Sequence, residues 1–201
     1  MKKTVIVDYG LGNLRSVMRG LEKAGASTVI TSDPNEIAAA DGIILPGVGA
    51  FREGMEQLGE LRTVITGCAK DIPVLGICLG MQMLFEWSEE HGLHRGLSLT
   101  PGTVKRFPAE PGMKVPHMGW NSIVLEQPDD PLFAGFAEEE YVYFVHSYYA
   151  PPDPAIMLTS TKYIVPFAST VRCGNVWGTQ FHPEKSGAVG LQLLENFIEL
   201  L

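Results

Sequence analysis

The sequence has no apolar run approaching the roughly 20 residues that a helix needs to cross a bilayer, which argues against a membrane span. Two lysines precede the apolar segment Thr4–Val7, but Asp8 and Gly10 break it too early for a secretion signal. Basic residues are few: 15 Lys and Arg stand against 23 Asp and Glu, for a net charge of −8, and no Lys/Arg cluster occurs. A nucleic-acid partner, which leaves a basic patch or stripe, is therefore not expected. Only three cysteines occur, Cys68, Cys78 and Cys173, without paired spacing. That excludes a disulfide framework and fits a reducing cytoplasm. His91 and His94 lie three apart, but no further ligand types cluster around them, so no metal site is expected. Internal repeats and low-complexity segments are also missing.

What remains is ordinary globular composition, 45% hydrophobic and 19% charged over 201 residues, enough for one domain with a sizeable core. The first part alternates short β-branched runs with amphipathic segments. Thr4–Asp8 reads as a strand buried on both faces. Asn13–Ala24 has Leu14, Val17, Met18 and Leu21 at helical spacing, with Asn13 placed to cap and Gly25 to terminate. Strands follow at Thr28–Thr31, Ile43–Leu45 (stopped by Pro46-Gly47) and Pro73–Ile77, with a helix near Gly80–Trp87. The rhythm implies a parallel sheet with right-handed crossovers. After Gly96, short runs at Thr103–Phe107, Ile123–Leu125, Tyr141–His146, Met157–Ser160, Phe167–Val171 and Val176–Phe181 read as antiparallel strands added to that sheet. Gly190–Leu201 reads as a closing helix. The fold class expected is α/β: an open, mixed, mainly parallel sheet flanked by helices, flavodoxin-like, with antiparallel strands in the C-terminal half.

The sharpest local signal is Gly76-Ile77-Cys78-Leu79-Gly80, between a strand and a helix. It has the form of a nucleophile elbow with sulfur in place of oxygen. A tight turn exposes the nucleophile, glycines make room for it, the helix N-terminus favours thiolate, and the Leu79 amide is placed to donate to an oxyanion. The competing reading is a small buried cysteine between packing glycines; Cys68 and Cys173 are read that way. A thiolate needs a base. His182 ends a strand-like run, Pro183 biases it toward extended backbone, and Glu184 is near enough to orient its ring. His146 also ends a strand-like run and competes for the role, without a nearby downstream carboxylate. Pro46-Gly47-Val48-Gly49 after a buried strand can supply a second oxyanion donor, or be a plain glycine turn. Gly10-Leu11-Gly12 invites a dinucleotide reading with Asp33 as the ribose ligand, but Arg15 stands where a small residue is required.

Taken together these motifs resemble the class I glutamine amidotransferase family, and within it the glutaminase subunits of imidazole glycerol phosphate synthases. The resemblance spans essentially the whole chain. It is carried by Asp8–Leu14, Pro46–Phe51, Gly76–Gln82, Pro116-His117-Met118-Gly119-Trp120-Asn121, Tyr143–Tyr148 and Gly178–Ser186. It implies Cys78 as nucleophile, His182 as base and Glu184 as orienting acid. It also implies oxyanion donors near Leu79, Val48 and Gly49, and glutamine contacts from Gly49, Gln82, Ser147 and Tyr148.

The resemblance further implies a partner, a cyclase subunit built as a (β/α)₈ barrel, met through Asn13, Trp120, Tyr143 and Lys185, where ammonia passes. It implies no cofactor. The free chain is expected to be nearly inactive until partner and nucleotide substrate switch it on, by a flip of the Gly47–Gly49 loop. Two rivals stay in view: a glutaminase of vitamin B6 or anthranilate synthesis, against which the Pro116–Asn121 run counts, and a non-catalytic binding subunit, against which the intact Cys78, His182 and Glu184 count.

Overall fold

A computed structural model describes residues 2–201. In chain order the elements are β1 (Lys3–Val7), α1 (Leu14–Lys23), β2 (Ser27–Thr31), α2 (Pro34–Ala38), β3 (Gly42–Gly47), α3 (Phe51–Leu58), α4 (Leu61–Cys68), β4 (Val74–Cys78) and α5 (Leu79–Leu84). The rest are β5 (Phe85–Ser88), β6 (His94–Arg95), β7 (Thr100–Arg106), β8 (His117–Leu125), β9 (Glu139–His146), β10 (Tyr148–Tyr149), β11 (Met157–Lys162), β12 (Pro166–Cys173), β13 (Val176–Thr179) and α6 (Gly187–Glu199).

Nine strands form the main sheet in the order β2-β1-β3-β4-β13-β12-β11-β8-β9. The half from β2 to β13 is parallel and the half from β13 to β9 is antiparallel. The parallel strands read as continuous apolar runs because both faces are covered. Ile6, Ile44, Leu75 and Ile77 point to a core shared with Val17 and Leu21 of α1 and Leu193, Leu194 and Phe197 of α6. Their neighbours Val5, Val7, Ile43, Leu45 and Val74 point the other way, to Ile37, Met55 and Ile65 of the helices α2 to α4. The period-two alternation of a strand thus feeds two cores.

Asn13 caps α1, its side-chain oxygen accepting from the Ser16 amide at 3.4 Å, and Gly25 follows the helix at φ +94°. Three expectations need correction. The helix near Gly80–Trp87 is one short helix ending at Leu84, and Phe85–Ser88 is a strand. Phe85 and Ser88 are buried and Glu86 and Trp87 exposed, a spacing of three that imitates a helix face because the pairing of β5 with β7 shifts register between Phe85 and Trp87. The run Thr103–Phe107 does not join the main sheet: β7 belongs to a separate four-stranded sheet, β10-β7-β5-β6. This small sheet packs through Phe85 and Val104 onto Ala168 and Val171 of β12. Strand β13 is antiparallel to β12 but parallel to β4, so it joins the two halves. Pro46 and Gly47 do not stop β3, which runs on through both.

Candidate active site

The pairing of β4 with β13 creates the site. Ile77 lies opposite Thr179, so Cys78 and the stretch Gln180–His182 leave neighbouring parallel strands at the same carboxyl edge. On its other side β4 pairs with β3, Gly47 opposite Cys78, which sets Val48 and Gly49 beside the cysteine. Open α/β sheets bind ligands at this edge.

Cys78 has φ +55° and ψ −108°, a conformation costly for a residue with a Cβ and typical of nucleophile elbows. The flanking glycines are required by space. A Cβ on Gly76 would come 2.8 Å from the Gly80 carbonyl, and one on Gly80 would overlap the Leu45 carbonyl. The buried thiol faces the Val145 carbonyl at 3.7 Å, and the Gln180 side-chain amide donates to the sulfur at 3.8 Å.

His182 Nδ1 is 2.8 Å from Glu184 Oε1, and both side chains are almost completely buried. His182 has extended backbone ahead of Pro183, and Pro183 opens a single 3₁₀ turn that brings Glu184 back under the ring. Two helices hold this turn closely through glycines. Gly20 of α1 lies against Glu184, and a Cβ on Gly190 of α6 would overlap the Pro183 carbonyl. The Ser186 hydroxyl donates to the His182 carbonyl at 2.7 Å and accepts from the Tyr143 amide at 3.0 Å, which pins the turn to β9. His182 Nε2 is enclosed and holds no hydrogen bond; the Cys78 sulfur lies outside hydrogen-bonding geometry but close enough to act on the ring's charge. Burial disfavours the imidazolium, yet the Cys78 sulfur and the Glu184 carboxylate outweigh it and raise the His182 pKa from 6.5 to about 9.

A cavity of about 480 Å³ opens over Cys78 and is lined by Val48, Gly49, Leu79, Gln82, Ser147 and Tyr148, all expected from sequence. Gly49 has φ +110°, and a Cβ there would make only an ordinary contact, 4.0 Å from Glu53 Oε2, so its glycine is a conformational requirement and not one of space. Gln82 is buried and donates to the Tyr148 carbonyl and to Gln180 Oε1, both at 3.0 Å.

Four residues escaped the sequence reading. Glu90 and Arg106 line the cavity, and Glu90 accepts from the Phe51 amide at 2.6 Å, capping α3 just after the Gly49 loop. Gln180 and His117 are fully enclosed among the active-site strands. Glu90 sits in an irregular loop and Arg106 at the end of β7, outside every motif run, whereas His117 and Gln180 lie inside the Pro116–Asn121 and Gly178–Ser186 runs, which carried the resemblance without giving either a role.

His146, the rival base, lines the cavity but has both ring nitrogens engaged: Nδ1 with the Tyr148 carbonyl at 2.8 Å and Nε2 with His117 Nδ1 at 2.9 Å. Burial drives its pKa down to about 3 and that of His117 to about 4, so both are neutral near pH 7. Asp33 is no ribose ligand in this geometry; it caps α2, accepting from the Asn35 amide at 2.8 Å. Among the described residues no group of three or more metal-ligating side chains occurs, and no helix is long and apolar enough to cross a membrane.

On β8 and β9, Trp120 lies opposite Tyr143, the rings meeting edge to face at 6.2 Å, and Lys185 Nζ sits 5.9 Å above the Tyr143 ring. Trp120 is 58% exposed. Asn13 is also exposed, with its side chain serving the α1 cap.

The family model for class-I glutamine amidotransferases matches residues 5–200. The chain is 55% identical to the imidazole glycerol phosphate synthase subunit HisH of Methanosarcina mazei, over all of both chains. It is 54% identical to that of Natronomonas pharaonis, over 98% of this chain and 94% of the relative. Among solved structures, PurLQS from Thermotoga maritima superposes with a TM-score of 0.75 at 20% identity, covering 100% of this chain and 99% of that one. The glutaminase domain of Trypanosoma brucei CTPS with bound acivicin gives 0.69 at 15% identity, covering 99% and 94%. These distant structures share the α/β fold described above. The chain belongs to the class-I glutamine amidotransferase family and, within it, to the HisH subunits of imidazole glycerol phosphate synthase.

Proposed function

We propose that this chain hydrolyses glutamine to glutamate and ammonia and passes the ammonia to a (β/α)₈-barrel cyclase subunit, which makes imidazole glycerol phosphate and AICAR in histidine biosynthesis. The observation that carries the chemistry is the meeting of a strained Cys78 with the enclosed His182–Glu184 pair at the ends of two adjacent parallel strands.

In this reading the Cys78 sulfur attacks the side-chain amide carbon of glutamine. The negative oxygen that forms is held by the Leu79 amide and by an amide of Val48 or Gly49. His182 protonates the departing nitrogen, ammonia leaves, and a thioester remains. His182 then takes a proton from water, which attacks the thioester and frees glutamate and the thiol. Glu184 fixes the ring so that Nε2 does the proton transfer. Glu90 and Gln82 offer acceptors at the cavity wall for the substrate's ammonium and amide N–H groups. Side chains and water suffice, and no cofactor is required. All 201 residues act as one domain in the cytoplasm.

The partner surface is proposed to include Asn13, Trp120, Tyr143 and Lys185. Support comes from the β8–β9 face, where Met118 and Tyr141 join Trp120 as large exposed apolar side chains, directly beside the His182–Lys185 turn.

Replacing Cys78 by Ala tests the assignment in the complex. Glutamine-driven synthesis should vanish while synthesis from added ammonium salts continues; undiminished use of glutamine would sink it.

A further inference from the structure

A chain of buried hydrogen bonds runs from β8 into the active site, and the reaction as described assigns part of it no task. His117 and His146 lie opposite each other on β8 and β9. A carbonyl can only accept, so the proton at His146 Nδ1 is donated to the Tyr148 oxygen at 2.8 Å. With His146 neutral, its Nε2 must accept, and the donor is His117 Nδ1 at 2.9 Å. His117 Nε2 accepts in turn from the Asn121 side-chain amide at 3.2 Å. Every direction in this relay is set by its neighbours.

At the other end, the Tyr148 carbonyl also accepts from the Gln82 amide at 3.0 Å. The second Gln82 N–H goes to Gln180 Oε1 at 3.0 Å, which turns the Gln180 amide toward the Cys78 sulfur. The Gln82 carbonyl oxygen is then the one polar atom of that side chain left for a ligand. An amide that lost its anchor would be free to turn by half a revolution and offer N–H groups where an acceptor is needed.

We propose that His117 and Asn121 are positioning residues for glutamine, acting through His146 on the Tyr148 carbonyl and so fixing which face of the Gln82 amide meets the substrate. This rests on reading the cavity over Cys78 as the glutamine site. The surroundings point the same way. His117 stacks between Tyr163, at 4.1 Å, and Phe144, at 4.8 Å, and Phe107 lies 5.2 Å from the His146 ring. In such an aromatic box, phenylalanine would fill the space without the desolvation cost of imidazole. A fully satisfied polar chain there specifies one arrangement at its ends.

The test is steady-state glutamine hydrolysis by the complex with the cyclase subunit, read as separate KM and kcat. His117→Phe keeps the stacking and removes the donor to His146. KM for glutamine should rise about tenfold, the scale of one misdirected hydrogen bond, with kcat falling far less. His117→Asn sets an amide N–H near the place of Nδ1 and should recover most of the loss. The ¹⁵N shifts of the imidazole nitrogens in the wild-type chain should report neutral Nδ1–H tautomers at both histidines from about pH 5.5 to 8. An unchanged KM in folded His117→Phe overturns the proposal, as do Nε2–H tautomers. Equal loss of kcat and melting temperature in both variants also overturns it, since that marks a packing role alone. A wild-type complex that releases no glutamate removes the underlying reading instead, and the proposal with it.

Discussion

His182 is under two opposing influences, enclosure that disfavours its charge and the neighbouring Cys78 sulfur and Glu184 carboxylate that favour it, and the second wins. With its pKa raised to about 9, the imidazolium persists through neutral pH, ready to protonate departing ammonia. The same shift is a stability statement. A folded-state pKa above the unfolded value of 6.5 stabilises fully below that value, and the contribution fades as pH rises through about 9. Glu184→Gln should therefore lower the melting temperature more at pH 6 than at pH 10, and move the alkaline limb of the glutamine-hydrolysis profile to lower pH. It should also cut kcat by roughly 10²- to 10⁴-fold, the range for losing a proton-transfer group's orienting partner. Melts of equal depression at both pH values would show that Glu184 acts by packing alone. The triad was legible in the sequence because each part is local: a glycine-flanked cysteine, and a histidine and glutamate two residues apart. Glu90, Gln180 and His117 were not: Glu90 lies in a loop, while His117 at the start of β8 and Gln180 just past β13 lie in motif runs that do not say which of their polar residues turns inward.

Helices show how much the same substitution depends on what faces it. Gly67 of α4 is exposed and a Cβ there meets nothing within 4 Å, whereas one on Gly190 of α6 would overlap the Pro183 carbonyl. Gly67→Ala should stabilise the chain by about 0.5–1 kcal/mol through helix propensity alone. Gly190→Ala has the same propensity gain but forces backbone apart, at a cost of roughly 1–3 kcal/mol, and the cost prevails. Thermal melts should move in opposite directions, and Gly190→Ala should also lower kcat because the displaced carbonyl belongs to the His182–Glu184 turn. Shifts of the same sign would contradict this geometry. Among elements, β1 to β4 were legible because strands covered on both faces carry uninterrupted apolar runs. The boundary between α5 and β5 was not: Met81 of α5 and Phe85 of β5 are four residues apart and enter the same core, so the helical spacing crosses from one element to the next without a break.

At the level of the molecule, one sheet has two halves with different tasks. The parallel half carries the catalytic edge, and the antiparallel half ends in β8 and β9, whose outer face is studded with Met118, Trp120 and Tyr141. Such a patch beside the His182–Lys185 turn suits a partner that must receive a small diffusing product. Trp120→Asp should weaken association with the cyclase subunit by about tenfold or more, as loss of a central aromatic anchor does. The isolated chain's melting temperature should hold nearly constant, because the ring is mostly in solvent. Titration calorimetry decides it, and unaltered affinity would place the partner on another face. The α/β class and the mixture of parallel and antiparallel strands were visible in the sequence as a change of rhythm after Gly96. The separate small sheet was not, since hydrophobic alternation says that a strand has an inner face without saying which sheet receives it.

The adjacency of β4 and β13 also sets a clock. Gln180 comes 102 residues after Cys78, and β13 is the strand that closes the open edge of β4. During synthesis the cysteine emerges long before its base, next to a sheet that is still unfinished. Pairing across so long a stretch of chain comes late in folding. A chain made only as far as β4 thus has a nucleophile and no means of using it, and glutamine is spared at least until the His182–Glu184 turn has been made and β13 has paired with β4.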